Sequence, residues 1–396
     1  MKHAFLTLVL LTAVGLGYSA AIILSLPPEI DPAETPAPGA SAVVSEMDAS
    51  EQVTQTTSPA LASTVPETVT EASATTYLVW STGGLTRELI DGLPAMFEAS
   101  SVVIGDVVEL SVSGGTIPLD ALAIDPDAHR PFDPTGSLAP LRPGTVILGE
   151  SAAALRSAAI GHELILAGTA FDVAGIAPDS VVSAAEVVFA ASDPDLPIGT
   201  ARFALVSSDI ERTEFEAAVR SLYDGPAALR IRAGEETPWL RHGDAVLPQV
   251  FIKQALGEFS YTNLRGAEFT QDEIFQDQHI VTTDVPILGE VVCHSLVAEM
   301  LTGAMAELVD EGLAHLVDPA GFAGCWFPRF IRSATGVPSG VSRHAWGAAV
   351  DLNAPANPMG SVGTQDPRLV EIMLGWGFTW GGDWLVPDPM HFEYGG

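Results

Sequence analysis

The stretch Ser342–Asp351, SRHAWGAAVD, places a hydroxyl, an imidazole, a glycine and a carboxylate within ten residues. His344 and Asp351 lie seven residues apart, which corresponds to about 23 Å on a straight strand and about 10 Å on a helix. Two ligands of one zinc ion must lie within a few ångström of each other, because zinc bonds are about 2.0–2.2 Å long. The chain must therefore bend between them if they share an ion, and Gly347 is where we expect the bend. The alternative is a buried His–Asp hydrogen bond in a hairpin.

The end of the chain, PDPMHFEYGG at 387–396, supplies a third candidate ligand in His391. The preceding residues predict a helix, then a turn rich in glycine and tryptophan, then a final strand. Pro389 disfavours a helical conformation at Asp388, so we expect both Asp388 and His391 in extended chain. Three protein ligands would leave one zinc position for water, as in catalytic sites. Asp388 is then placed to accept a proton from that water, with Asp383 as the second choice.

Two further features belong to the same terminal segment. Glu393 shares a strand face with His391, so it would either orient that ligand or line the cleft. Tryptophans are concentrated here and either wall the cleft or form the core of a small domain; they are Trp346, Trp376, Trp380 and Trp384.

The chain contains two cysteines, Cys293 and Cys325. In an exported protein an even pair predicts one disulfide. It would close a loop of about 30 residues and stabilise the fold by roughly 3–4 kcal/mol in the chain-entropy model. Zinc ligation by these cysteines is the alternative, but no CxxC pair supports it.

Charge composition excludes several classes of partner. The 396 residues include 17 basic and 50 acidic side chains, for a net charge of −33. Such a chain repels nucleic acid and anionic membrane surfaces, so we predict no nucleic-acid partner.

The first 75 residues predict export and a spacer. Residues 4–26 are uncharged and long enough to span a bilayer, so residues 1–26 are either a membrane anchor or a signal peptide. Their length favours the anchor, with Lys2 remaining inside. Residues 27–75 carry eight acids and no base and few large apolar side chains, which predicts a disordered tether. The remainder is expected outside the cell, anchored to the membrane or, alternatively, secreted.

The rest of the chain predicts an α+β fold in two parts. Residues 76–235 alternate strand and helix patterns without a phosphate loop or nucleophile elbow, so we predict a noncatalytic α+β module. About 40 residues within 145–190 resemble extracytoplasmic modules of some ABC-type export permeases. Residues 236–396 form the second part, whose central segment is 285–396. Within that segment, apolar residues at helical spacing predict a helix that ends near Gly312.

Residues 285–396 resemble the zinc D-Ala-D-Ala carboxypeptidase and L-alanyl-D-glutamate endopeptidase family, whose fold is related to the hedgehog signalling domain. SRHAWGAAVD matches the family pattern S-x-H-x-x-G-x-A-x-D, and DPMHFE at 388–393 matches (D/E)-x-x-H. GWGFTWGGDW at 375–384 is similar to the turn before the family's last strand. GCWFPRFIRS at 324–333 is similar to the segment that supplies its substrate-binding arginine.

The resemblance implies a small antiparallel sheet flanked by helices and a role for each matched residue. His344, Asp351 and His391 would bind Zn²⁺, and Asp388 would be the general base. Arg329, or less favoured Arg332, would polarise the scissile carbonyl.

In the same family Ser342 would hold the substrate or its loop. The implied activity is hydrolysis of peptidoglycan stem peptides, with removal of a terminal D-Ala ranked ahead of cleavage between L-Ala and D-Glu. A zinc-bearing binding module of the cell envelope is the alternative from a different class.

Overall fold

The computed structural model describes residues 74–236, 246–331 and 340–396. The predicted anchor and tether, at 1–26 and 27–75, lie outside the described residues except for the last two positions. The described chain mixes helices with strands, and its C-terminal part contains small antiparallel sheets, so the predicted α+β class is confirmed. Within the described ranges, no helix is long and apolar enough to cross a bilayer.

The first described range contains nine strands and four helices. The strands are β1 (Thr75–Ser81), β2 (Ala99–Val112), β3 (Gly115–Ile124), β4 (Thr145–Gly149), β5 (Glu163–Leu166), β6 (Thr169–Ala177), β7 (Val187–Ala190), β8 (Ala201–Ser208) and β9 (Leu229–Ala233). The helices are α1 (Arg87–Met96), α2 (Pro126–His129), α3 (Glu150–Arg156) and α4 (Arg212–Ser221).

The remaining described residues contain seven strands and four helices. The strands are β10 (Tyr261–Arg265), β11 (Glu268–Gln271), β12 (Ile280–Val285), β13 (Gly289–His294), β14 (Ala349–Asp351), β15 (Phe378–Trp380) and β16 (His391–Tyr394). The helices are α5 (Gln249–Leu256), α6 (Glu273–His279), α7 (Ser295–Asp310) and α8 (Pro367–Gly375).

Eleven strands form one mixed sheet in the order β11-β10-β3-β7-β4-β6-β5-β2-β8-β1-β9. Strand β2 also pairs with β3, so the six strands from β2 through β7 form a closed ring of paired strands. The 14-residue β2 is long enough to pair with β8 near its start and with β3 along the rest. Residues 99–112 therefore form one continuous strand, and the chain reverses only at Gly114, which has a positive φ of 93°.

The sheet extends to the segment that carries Arg329. Strands β10 and β11 come from the region predicted to begin the second domain, yet they lie at one edge of the eleven-stranded sheet. Beyond β11, Phe269 N–H donates to the carbonyl of Pro328 at 3.2 Å, and Phe330 N–H donates to the carbonyl of Ala267 at 2.7 Å. Main-chain hydrogen bonds therefore fix the backbone on both sides of Arg329.

The predicted helix near Gly312 is α7, and it lies in the core of the C-terminal part. Its N-terminus is capped by His294, whose Nδ1 accepts from Leu296 N–H at 3.2 Å. Burial is the main reason that the pKa of His294 falls to about 4, so the ring stays neutral and can accept this bond. Trp346, fully buried, packs in the same core cluster as Met305 on α7.

A buried charge cluster joins α5 to the large sheet. Lys253, on α5, donates to Glu186 at 2.8 Å and to the carbonyl of Pro118 at 2.7 Å. Arg156 also donates to Glu186 at 2.7 Å. Burial alone would raise the pKa of Glu186, but the two cations lower it, so the carboxylate stays charged in the interior.

Replacing this lysine tests how far the cluster stabilises the fold. We expect Lys253→Met to lower the free energy of unfolding by about 3 kcal/mol, because removing one member of a buried ion pair leaves its partner undercompensated. Chemical denaturation measures the change. Arg368→Met is the matched control, since its pair with Asp366 is at the surface and its loss should not be measurable. Equal effects of the two substitutions would contradict the expectation.

Candidate metal centre

The bend predicted at Gly347 is present. His344 lies in a short 3₁₀ helix, Arg343–Trp346, and Gly347 follows in the left-handed conformation with φ of 63°. A Cβ at Gly347 would lie 2.4 Å from the backbone nitrogen of His294, so both conformation and space require glycine. The chain then enters β14, which ends at Asp351.

Strand register brings the third residue to the same place. Strand β14 pairs antiparallel with β16, and Asp351 lies directly opposite His391 in that register. His344, Asp351 and His391 each offer one ligand atom, and these atoms lie within 4.8 Å of one another. The predicted trio is therefore assembled from a bend and one strand pair.

The trio fits a zinc ion in both chemistry and spacing. Nε2 of His344 lies 3.3 Å from Oδ2 of Asp351, and Nδ1 of His391 lies 3.0 Å from Oδ1 of Asp351. A tetrahedral ion with bonds of about 2.0–2.2 Å separates its ligand atoms by roughly 3.4 Å. Two imidazoles and one carboxylate form a donor set that zinc accepts, with a fourth position left for water or substrate.

Each histidine uses its other ring nitrogen for a hydrogen bond. Nδ1 of His344 lies 2.8 Å from the carbonyl oxygen of Cys325 and must donate to it, which leaves Nε2 for the metal. Nε2 of His391 lies 3.1 Å from Oε2 of Glu393, which leaves Nδ1 for the metal. Such outer partners set the tautomer of a ligating imidazole.

Contacts between acidic groups and imidazole or guanidinium groups shift the pKa values of the side chains in and around the trio. Burial alone would raise the pKa of Asp351, but its contacts with His344 and His391 lower it below its ordinary range. Burial would likewise raise the pKa of Glu393, and the bond from His391 together with the charge of Arg343 lowers it. For His391, burial lowers the pKa, but bonds to Asp351 and Glu393 outweigh burial and raise it to about 10 in the metal-free protein.

Asp388 lies beside the trio with a different environment. Its Oδ1 is buried and has no hydrogen-bond partner among the described residues. Burial raises the pKa of Asp388 above its ordinary value, and the nearby charge of Asp351 adds to this effect. Gly381 allows the backbone of Asp388 to lie close to residue 381, since a Cβ at that residue would lie 2.7 Å from the carbonyl oxygen of Asp388. Asp383, the second choice for the base, is exposed.

The other predicted site residues lie around this group. Arg329 is partly buried, and its charge lowers the pKa of Asp388, so the two side chains are within electrostatic reach. Ser342 is buried and immediately precedes the 3₁₀ helix of His344. Arg332, the second choice for the arginine, lies outside the described residues.

The two cysteines are joined in a disulfide. Cys293 is a buried residue of β13, and Cys325 lies in an irregular segment that runs beside His344. The expected pairing is therefore present, and the described residues contain no free cysteine that could serve as a zinc ligand.

Sequence reasoning missed several contributors to the site. Gln271, on β11, donates to the carbonyl of Ala345 at 3.0 Å and accepts from Nε1–H of Trp326 at 3.2 Å. Arg343 lies 3.8 Å from Glu393. No periodicity or motif marks these residues, because their contacts join segments far apart in sequence. Of the four tryptophans, Trp384 lies against His391, with ring centroids 5.4 Å apart.

Comparison with known protein families gives a match in the C-terminal part of the chain. A family model described as D-alanyl-D-alanine carboxypeptidase matches residues 335–394, which include the trio and Asp388. This match supports a peptidase of that general type for the C-terminal segment, and such peptidases are zinc-dependent. No curated protein matches the chain.

Solved structures share a likeness with this chain at low identity. The periplasmic region of MacB from Actinobacillus actinomycetemcomitans is 14% identical, with 43% of this chain and 94% of that chain covered and a TM-score of 0.31. The extracellular domain of the noncanonic ABC-type transporter YknZ from Gram-positive bacteria is 11% identical, with 40% and 99% covered and a TM-score of 0.30. A domain of a putative permease from Porphyromonas gingivalis is 14% identical, with 41% and 89% covered and a TM-score of 0.25.

The raised pKa of His391 predicts how metal binding depends on pH. Below the pKa of about 10 the ring is protonated in the metal-free protein, so a metal ion must displace a proton from Nδ1. We expect about one proton to be released per zinc ion bound, and zinc affinity to fall roughly tenfold for each unit that the pH decreases. Calorimetric titration in buffers of different ionisation enthalpy measures both quantities.

The matched control for this titration is Asp388→Asn, which leaves all three candidate ligands in place. It should show the same proton release as the unaltered protein. Zinc affinity independent of pH would contradict the expected competition between the proton and the metal.

Proposed function

We propose that this protein is a zinc-dependent peptidase that hydrolyses peptidoglycan stem peptides. The observation that carries the proposal is the trio of His344, Asp351 and His391 beside a buried carboxylate oxygen of Asp388 that has no described partner. The family match over residues 335–394 supports the same reading. Within this class we propose D-alanyl-D-alanine carboxypeptidase activity, with L-alanyl-D-glutamate endopeptidase activity as the alternative.

The proposed mechanism assigns one task to each residue. A bound zinc ion would polarise the scissile carbonyl and lower the pKa of water toward about 7. Asp388 accepts the proton of the attacking water and delivers it to the leaving amine, a role that its raised pKa favours. Arg329 donates planar N–H groups to the developing oxyanion. Glu393 holds the ring of His391 in the orientation that directs Nδ1 toward the metal, and Ser342 holds the substrate or its loop.

We further propose that the enzyme acts outside the cell, anchored to the membrane by residues 4–26. The disulfide supports this location, because such bonds persist in oxidising compartments. The cell wall outside a bacterial membrane is where stem peptides occur, so location and substrate agree.

The proposed activity predicts a specific product. Full-length protein loaded with zinc is incubated with a synthetic stem pentapeptide that ends in D-Ala-D-Ala, and separately with purified peptidoglycan. Mass spectrometry should detect the loss of one alanine. Chelation should abolish the product and added zinc should restore it. An internal cut between L-Ala and D-Glu would replace the carboxypeptidase assignment with the endopeptidase one.

Substitution of the proposed base separates catalysis from metal binding. We expect Asp388→Asn to lower the rate by a factor of about 10²–10⁴ while zinc affinity stays close to that of the unaltered protein. Asp383→Asn is the matched variant in the same loop and should keep the activity. A large loss with Asp383→Asn alone would transfer the role of base to Asp383. Zinc binding without any product would favour a noncatalytic binding module.

A further inference from the structure

Five residues, Ala323–Phe327, run beside the segment that carries two of the candidate ligands; we call them the strap. Ala323 N–H donates to the carbonyl of Asp351 at 2.9 Å, and Asp351 N–H donates to the carbonyl of Gly324 at 3.3 Å. Phe327 N–H donates to the carbonyl of His344 at 2.8 Å. Both His344 and Asp351 are therefore held to the strap through their backbones.

The strap also contacts Nδ1 of His344, the ring nitrogen that does not face the trio. The carbonyl oxygen of Cys325 lies 2.8 Å from Nδ1. Because a carbonyl only accepts, this contact requires a proton on Nδ1, and the neutral ring then carries its lone pair on Nε2. Nε2 is the atom that faces Asp351, so the carbonyl of Cys325 selects the tautomer that can bind a metal.

The strap has no regular secondary structure of its own, so its position depends on attachments to neighbouring elements. The covalent attachment is the bond from Cys325 to Cys293 at the end of β13. Next to it, Trp326 N–H donates to the carbonyl of Val292 at 3.0 Å. Both cysteines are buried. The disulfide therefore fixes the residue whose carbonyl orients His344.

We infer that the carbonyl of Cys325 is a positioning group for His344, and that the Cys293–Cys325 disulfide holds it in place. Metal affinity then depends on the oxidised state of this cysteine pair. Reduction would take two electrons and two protons from a dithiol, which becomes a disulfide itself, and would leave two thiols and a strap without its covalent attachment. This inference rests on the proposed metal site and adds a redox condition to it.

The test replaces the disulfide without adding thiols, which would themselves bind zinc. Full-length Cys293→Ala/Cys325→Ala protein is stripped of metal, and its zinc affinity is measured by competition with a chromophoric chelator. We expect the affinity to fall about 10–100-fold, the usual effect of losing an outer partner of a ligating histidine. Unchanged affinity in the folded double variant would overturn the inference.

Met305→Ala is the matched control for general destabilisation. Met305 is fully buried on α7 and belongs to the same core cluster as Cys293. It should lower the melting temperature, as loss of the disulfide does, yet leave zinc affinity unchanged. An equal loss of zinc affinity in Met305→Ala would reduce the disulfide to an ordinary stabilising bond and overturn its positioning role.

A second measurement needs no variant and so does not depend on how the double variant folds. Nitrogen-15 NMR of histidine-labelled, zinc-loaded protein identifies which ring nitrogen of His344 is protonated. We expect a protonated, hydrogen-bonded Nδ1 and a metal-bound Nε2. Metal on Nδ1 of His344 would overturn the inference.

The two proposals fail in distinguishable ways. If the unaltered oxidised protein does not bind zinc, the proposed function fails. If it binds zinc and hydrolyses the pentapeptide, but the double variant binds zinc equally well, only the positioning role of the disulfide fails.

Discussion

The candidate site depends on one backbone constraint, the left-handed bend at Gly347. Without this bend, residues seven apart could not share an ion on either a helix or a strand. The same glycine lies so close to the backbone of His294 that a side chain would not fit. The bend is therefore fixed by packing against the start of α7 as well as by its own conformation, and the position of His344 follows from both.

Beyond the bend, the electrostatic environment separates two neighbouring carboxylates. Asp351 contacts the imidazoles of His344 and His391, which hold its pKa low. Asp388 has a buried oxygen with no described partner, and its pKa is raised. Paired acids whose surroundings push their pKa values apart are typical of sites in which one is a permanent anion and the other exchanges protons. The proposed roles of ligand and base agree with this difference.

The large sheet contributes directly to the surroundings of the site. Its edge strand β11 pairs with the backbone on either side of Arg329, and Gln271 at the end of β11 holds the turn that contains His344. Leu385, three residues before Asp388, packs against a core cluster of the sheet that includes Trp80. The division into a noncatalytic module and a metal domain stays a prediction, but the packing of Leu385 gives residues of the first part a structural role near the second.

Residue types and their spacing along the chain were enough to predict the candidate trio, the bend at Gly347, the α+β class and the cysteine pair, because each depends on local chemistry or on a short motif. The tertiary structure was needed to establish which ring nitrogen of each histidine faces the candidate metal position, since that depends on the carbonyl of Cys325 and on Glu393. It also decided that β10 and β11 join the large sheet. Such contacts join segments distant along the chain, and no spacing within either segment encodes its partner.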